Sequence, residues 1–458
     1  MDPTVAHFLD EFRPASRGDV EVTGTGALPS AFAVTDFAAA AVGAAGAAAA
    51  RLVGRLTDRP AHVEVDRRLA SHWFTGTIRP VGWEIPSPWD SVAGDYPTAD
   101  GWIKLHTNAP HHKAAALSVL GTDPERGAVG AAVLRWAATD LEDAVVGAGG
   151  CAAALRPPDD WVRHPQGRAV AAEPLIDIRP GGEARGSVRP TGDPARPLAG
   201  VRVVDLTRVL AGPVATRFLA GFGADVLRLD PPWWAEPGVV PEVTLGKRCA
   251  RLDLCTEADR AVLWSLIEGA DIVVHGYRSD ALERLGFGAA ARSERSPGLV
   301  DVSLDAYGWT GPWATRRGFD SLVQMSSGIA WSGREVSGAD HPVSLPVQAL
   351  DHAAGYVLAA AAIDGWTDRL ERGTGSVRRT SLARVAKVLL DGPAGDPRAG
   401  VRPVDDGDFA ADTESTSWGP ARRLRPPVTL DGRPPVWHLP ATALGSVPLP
   451  AHWGIGPE

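Results

Sequence analysis

Two aspartates stand where a carboxylate could act as a covalent catalyst. Asp351, in LPVQALDHAAG, and Asp36, in LPSAFAVTDF, each follow an extended Leu-Pro run and open an Ala-rich helical stretch. A carboxylate at that place faces the positive end of the helix, which favours its ionised, nucleophilic form. The same place suits an Asp that only caps the helix. Asp320 closes the triplet Gly318-Phe319-Asp320 and could bear hydrogen bonds at a reaction centre or serve as a polar turn residue. Lys247 and Arg248, in LGKRCARL, offer a local basic site for phosphate or, equally, a solvated pair. His106, His111 and His112 lie in LHTNAPHHK, but no Cys, Asp or Glu sits at ligand spacing around them. A metal site takes three or four convergent groups, so these histidines are expected on a surface or a pocket rim.

The elements that must position these groups begin with alternation. VRVVDL (201–206), a helical stretch from about 213 to 222, and ADVLRLD (224–230) read as a βαβ unit. DIVVHG (271–276) and GLVDVSL (298–304) add two strand-like runs, each preceded by a helical segment. The fold class expected is α/β, with a Rossmann-like, open parallel sheet. Asp230, ending the second strand, raises the question of a dinucleotide site, but the turn TRVLAGPVAT holds one glycine where that fingerprint needs several. A nicotinamide-dependent dehydrogenase is therefore disfavoured. The stretch from Leu28 (LPSAFAVTDFAAAAVGAAGAAAARL) is similar to that from Leu345 (LPVQALDHAAGYVLAAAAIDGWTDRL), and each is followed by a basic, Val-containing run. We read this as an internal repeat.

The chain has 458 residues, 44% apolar and 22% charged, with a net charge of -9. That balance supports a substantial core and provides no general field for nucleic acid or anionic lipid. A polyanionic ligand would need a local basic site, and nearly all of the positive charge is arginine. Cys151, Cys249 and Cys255 form no CxxC pair or even disulfide framework, so a reduced, cytoplasmic setting is expected. The most apolar stretch, 37–50, is too short and too rich in Ala and Gly for a membrane span, and reads as a packed helix. Asp2, Asp10 and Glu11 stand where a secretory signal would be basic. A polar Pro, Gly and Arg cluster at 179–197 reads as a boundary between halves, and 391–417 isolates a Pro- and Trp-rich tail expected to wrap rather than fold alone.

Five ordered motifs carry a family resemblance. PLAGVRVVDLTRVLAGPVATRFLAGFGADVLRLD, LGKRCARLDL, ADIVVHGYRSDALERLGFG, SLDAYGWTGPWATRRGFD and LPVQALDHAAG, spread over about 197–385, resemble the family III CoA-transferases. That family includes formyl-CoA and carnitine CoA-transferases and the α-methylacyl-CoA racemases. The resemblance implies a Rossmann-like open parallel-sheet large domain with a smaller α+β domain, in a homodimer whose chains interlock. YPTADGWIKLHTNAPHHKAAALSVLG (96–121) and GGCAAALRPPDDWVRHPQG (149–167) resemble the family's small domain, which here comes first. The organisation expected is a second-half-like region at 1–190, a Rossmann-like catalytic domain at 197–390 and a tail at 391–458.

The same resemblance implies a role for particular residues. Asp351 matches the nucleophilic aspartate and Asp320 the acid beside it; Asp36 is kept as a second candidate. Val209 and Leu252 match positions beside the nucleotide, Tyr277 one that stacks near adenine, and Arg284 and Arg317 positions that bind CoA. Gly276 and Pro231 depart from the family pattern. Racemases carry a proton-exchanging His where this chain has Phe319, which disfavours racemisation. The activity expected is transfer of coenzyme A from an acyl-CoA to a carboxylic acid acceptor, through an aspartyl anhydride and an aspartyl-CoA thioester. No metal, redox cofactor, nucleic acid or membrane partner is expected. An isomerase of the racemase branch and a non-catalytic acyl-CoA-binding paralogue are the alternatives.

Overall fold

The computed structural model describes residues 1–13, 19–184, 193–278, 280–449 and Trp453. Its centre is a seven-stranded sheet in the order Lys247–Arg251, Asp225–Asp230, Arg202–Leu206, Ile272–His275, Val300–Asp305, Thr374–Ser381 and Asp177–Glu183. The first six strands are parallel and the last is antiparallel. Counted along the chain from Arg202, the six parallel strands run 3-2-1-4-5-6 across the sheet, the doubly wound order.

Strands covered on both faces have continuous apolar runs, and the pleat divides each run between two cores. Val203, Val226, Ile272 and Val300 face one core; Val204, Leu227 and Val273 face the other, against the Glu257–Glu268 helix. Asp177–Glu183 overlaps the stretch read as a boundary, yet it pairs with Thr374–Ser381. An edge strand needs partners on one side only and so tolerates Pro180 and two glycines. Residues 185–192 of that stretch lie outside the described residues.

The repeat has a structural counterpart. Val34–Thr57 and Ala349–Arg372 are both 24-residue helices, entered through Ala33 (φ -74, ψ 60) and Gln348 (φ -75, ψ 64). Each has its Asp, 36 or 351, as third residue, and each leads into a strand and then a helix capped by Asp66 or Ser381. The two long helices pack against each other in the main core. Val34–Thr57 is apolar and long enough to cross a membrane, but 89% of its apolar window is buried in the fold. The tail joins the amino-terminal half: Val428–Leu430 pairs with the strand Val63–Asp66, and Gly419–Arg423 with Ile78–Pro80.

The Ala349–Arg372 helix also lies against Ala211–Gly221, and Gly355 permits the approach. A Cβ there would stand 2.6 Å from the Ala211 carbonyl oxygen and 2.7 Å from Val214 Cβ. Gly355→Val is expected to cost about 1–3 kcal/mol through overpacking, read as a lowered urea midpoint at unchanged m-value.

A separate small unit holds Gly94–Pro97, Trp102–Leu105 and Ala152–Ala154 in an antiparallel sheet, with the Pro110–Leu120 helix beside it. Its core, around Ile103, Leu120, Val133 and Leu141, is distinct from those of the large sheet. The Asp320–Ser326 helix packs on Trp102–Leu105 and Ala152–Ala154, bringing this unit to the carboxyl ends of the large sheet.

Candidate active site

Open α/β sheets bind ligands in the crevice where the strand order reverses, at the carboxyl ends of the strands. Here that point lies between Arg202–Leu206 and Ile272–His275, and a cleft of about 330 Å³ opens there. Its walls are the turn 207–212, Gly276 to Arg278, Leu304 to Ala306, and Arg316 to Phe319, with Asp351 facing in. His111 and His112 close it from the amino-terminal half.

Buried charge holds the first turn. Asp205 accepts from the Thr207 amide (2.9 Å) and from Lys247 Nζ (3.0 Å), and Lys247 also reaches the Pro213 carbonyl oxygen (2.9 Å). Neither Asp205 nor Lys247 has an exposed side chain. Next to it, fully buried Arg228 pairs with Asp230 and Glu236, and Glu236 accepts from the Val209 amide (2.7 Å). Val209 has φ 63, a left-handed conformation that is costly for a β-branched residue and persists only when its surroundings impose it. Asp230 is therefore occupied by Arg228, in keeping with the rejected dinucleotide reading.

Cations and rings line the mouth. The Arg208 guanidinium lies 5.1 Å from the Trp234 ring centre and 4.7 Å from that of Tyr277, and donates to the Tyr277 hydroxyl. Burial and the facing Arg317 push the pKa of Arg278 down. Among the described residues no carboxylate pairs with Arg208 or Arg317. Arg316, in contrast, is engaged by Glu142 (2.6 Å). The cleft thus has positive charge to offer an anionic ligand.

Asp320 lies immediately behind Asp351. One carboxylate oxygen accepts from the amides of Leu350 (2.9 Å) and Asp351 (3.0 Å), and the other from Gln324 Nε2. The positive start of the helix therefore stabilises Asp320, not Asp351 as the sequence suggested. No described residue donates a hydrogen bond to the Asp351 carboxyl. Burial pushes Asp320 up to about 6, and burial together with Asp320 pushes Asp351 well above the carboxylate range. Three donors favour ionised Asp320, so Asp351 keeps the proton in the resting cleft. Both carboxyls bind protons more tightly folded than unfolded, so the stability they contribute is full at low pH and is lost as pH rises, through about 6 for Asp320 and then as Asp351 gives up its proton. Between about pH 5 and 7.5 the urea midpoint is expected to fall more in the parent than in Asp351→Asn.

Asp351, Val209, Tyr277 and Arg317 thus meet at one cleft, with Asp320 behind it. Other expectations are corrected. Lys247 is consumed beneath the turn by Asp205, because its strand position points it into the sheet's core face. Arg248 points outward and pairs with Asp225 (2.8 Å). Leu252 is buried in the core against the Glu257–Glu268 helix. Arg284 is exposed and bound to Asp280. Asp36 pairs with Arg67 (2.5 Å) outside the cleft. Of the histidines expected at a surface or pocket rim, His111 is exposed and both it and the buried His112 line the cleft, whereas His106 lies flat on Phe319 (3.7 Å, 11°) outside that lining. Arg208, Arg278 and Trp234 were missed, although each lies just past the carboxyl end of a strand, where the switch-point rule directs attention. Among the described residues no three His, Cys, Asp or Glu side chains converge as a metal would require.

Residues 198–407 match the family described as CoA-transferase family III. Over this segment the chain is similar to that family. It is 38% identical over 190 residues to an acetyl-coenzyme A transferase of Hypoxylon pulicicidum, covering 40% of this chain and 32% of that one. It is 33% identical over 214 residues to a probable fatty acyl-CoA transferase of Mycobacterium tuberculosis, covering 44% and 54%. The crystal structure of that mycobacterial protein aligns with a TM-score of 0.40 at 32% identity, over 43% of this chain and 57% of that one. The chain spans between 32% and 56% of the length of these and similar curated relatives. The family III segment contains every strand of the switch-point crevice and both Asp320 and Asp351, whereas His111 and His112 come from outside it.

Proposed function

We propose that the protein transfers coenzyme A from an acyl-CoA to a carboxylic acid acceptor, with Asp351 as nucleophile. The observation that carries this reading is the Asp351 carboxyl itself. It faces a cation-lined crevice without a hydrogen-bond donor of its own, beside an Asp320 that holds the helix amides. A capping aspartate would use those amides; Asp351 is left for chemistry.

Ionised Asp351 attacks the thioester carbon, the C–S bond breaks, and CoA leaves as thiolate from an acyl-aspartyl anhydride. The thiolate then attacks the aspartyl carbonyl, forming an aspartyl-CoA thioester and releasing the donor carboxylate. The acceptor carboxylate attacks this thioester and again expels CoA thiolate, which takes the acceptor's acyl carbon and restores Asp351. Charge is conserved at each step, and no electron is gained or lost. Arg208, Arg278 and Arg317 would hold the CoA phosphates, with Tyr277 and Trp234 against the base.

Because Asp351 must lose its proton to attack, exchange is expected to rise with pH from about 5 to 8, where an isolated carboxylate is already ionised. The direct test incubates the protein with an acyl-CoA panel and follows intact mass, with hydroxylamine to trap the activated carboxyl. An adduct on Asp351 supports the proposal. CoA binding with neither adduct nor exchange for any donor overturns it, and loss of α-deuterium without CoA transfer would assign an isomerase instead.

A further inference from the structure

Among the described residues, His112 is the one histidine with both ring nitrogens buried and unbonded. It is the third residue of the Pro110–Leu120 helix, 3% exposed, and lines the cleft that Asp351 faces. The other buried imidazoles have structural occupations. His275 meets Arg292 through Nε2, while His106 and His352 stack on Phe319 and Phe74, and each of the three has a single buried, unbonded nitrogen, Nδ1. His112 makes only edge contacts, with Phe319 (5.9 Å, 69°) and His111 (4.1 Å, 62°). A buried polar atom without a partner is unfavourable, and the cleft that His112 lines is where a partner could enter.

Burial, with His111 and Arg317 nearby, holds the pKa of His112 down to about 3. The ring is thus neutral at working pH, with one N–H donor and one acceptor. The arginines of the mouth are better partners for phosphate, because they carry charge and a neutral ring does not. A neutral donor is better suited to an oxygen whose negative charge grows during the reaction. It also leaves the carboxylate and the departing thiolate unprotonated, as an imidazolium would not.

We propose that His112 contacts the substrate and donates one ring N–H to the carbonyl oxygen of the acyl group that Asp351 attacks. This rests on the transferase reading above. As the Asp351 oxygen bonds to the thioester carbon, the C=O π pair moves onto the oxygen held by His112; collapse returns the pair and expels the thiolate. The amino-terminal half thereby supplies a catalytic residue from outside the family III segment.

His112→Ala is expected to lower kcat about 10²-fold with KM for acyl-CoA within about threefold, as for loss of one oxyanion donor. His112→Gln, which restores an N–H, is expected to recover about tenfold of it. A second measurement needs no turnover: the acyl carbonyl stretch of acyl-CoA bound to Asp351→Asn, compared with Asp351→Asn/His112→Ala. A lower frequency in the single variant supports the contact. Bound acyl-CoA with the same frequency in both overturns the contact and leaves the transferase reading intact. A lowered frequency with no exchange by the parent protein overturns that reading and leaves the contact. Failure of acyl-CoA to bind the parent overturns both.

Discussion

Asp351→Asn is expected to reduce CoA exchange roughly 10⁴- to 10⁶-fold, the scale of losing a nucleophile from a preorganised site. That corresponds to about 5–8 kcal/mol of transition-state stabilisation. Binding of CoA itself is expected to stay within about threefold, because Arg208, Tyr277 and Arg317 are untouched. Asn also removes the like-charge partner of Asp320, so the variant should match or exceed the parent in stability above pH 6, where the paired carboxyls oppose each other. A dead and unfolded variant would therefore contradict the structure, whereas a dead and stable one fits. Asp36→Asn is the internal control. Asp36 occupies the same helical position, but Arg67 neutralises it away from the cleft, so exchange should be unchanged. Exchange retained in Asp351→Asn and lost in Asp36→Asn would reverse the assignment of the two copies.

Lys247→Met is expected to destabilise the fold by about 3–5 kcal/mol, because it strands the Asp205 carboxylate in the core. Both side chains are fully buried, and Lys247 also ties Asp205 to the Pro213 carbonyl and the Thr216 hydroxyl at the start of the Ala211–Gly221 helix. The loss should appear in denaturant midpoints with no CoA present. Arg248→Ala, one residue along the same strand, should change stability by less than about 1 kcal/mol, since its pair with Asp225 is partly exposed. A Lys247→Met protein that folds as well as the parent but binds CoA poorly would show that the lysine serves phosphate after all.

This contrast marks where the sequence could be read. The strands were legible because VRVVDL, DIVVHG and GLVDVSL are continuous apolar runs, a pattern that burial on both faces dictates. Asp351 and Asp320 were legible because their neighbours form ordered motifs. In LGKRCARL, however, the pleat sends Lys247 inward and Arg248 outward, and nothing local says which basic residue has a buried carboxylate opposite. That partner, Asp205, is 42 residues away. Arg284 was expected at CoA from the family resemblance and Arg278 was not considered, because the loop's direction, not its composition, decides which arginine faces the cleft. His112 does line the cleft, as a rim residue should, but the burial of His106 and His112 could not be read, because the ring against them, Phe319, arrives from over 200 positions further along the chain. The repeat was visible, but the fate of its two aspartates was not, since Arg67 and Asp320 tell them apart only in three dimensions.

Asp320 also links reactivity to rigidity. Its carboxylate is the only described side chain that fastens the opening amides of the helix bearing Asp351, and its neighbour's proton is what the chemistry must displace. Proton occupancy and anchorage are thus one variable. A ligand that draws the proton from Asp351 sets a second negative charge beside Asp320, which pushes Asp320 toward its protonated form and loosens its hold on the helix amides. The event that arms the nucleophile thus slackens its anchor, so the active site would report its own readiness as faster amide exchange at Leu350 and Asp351.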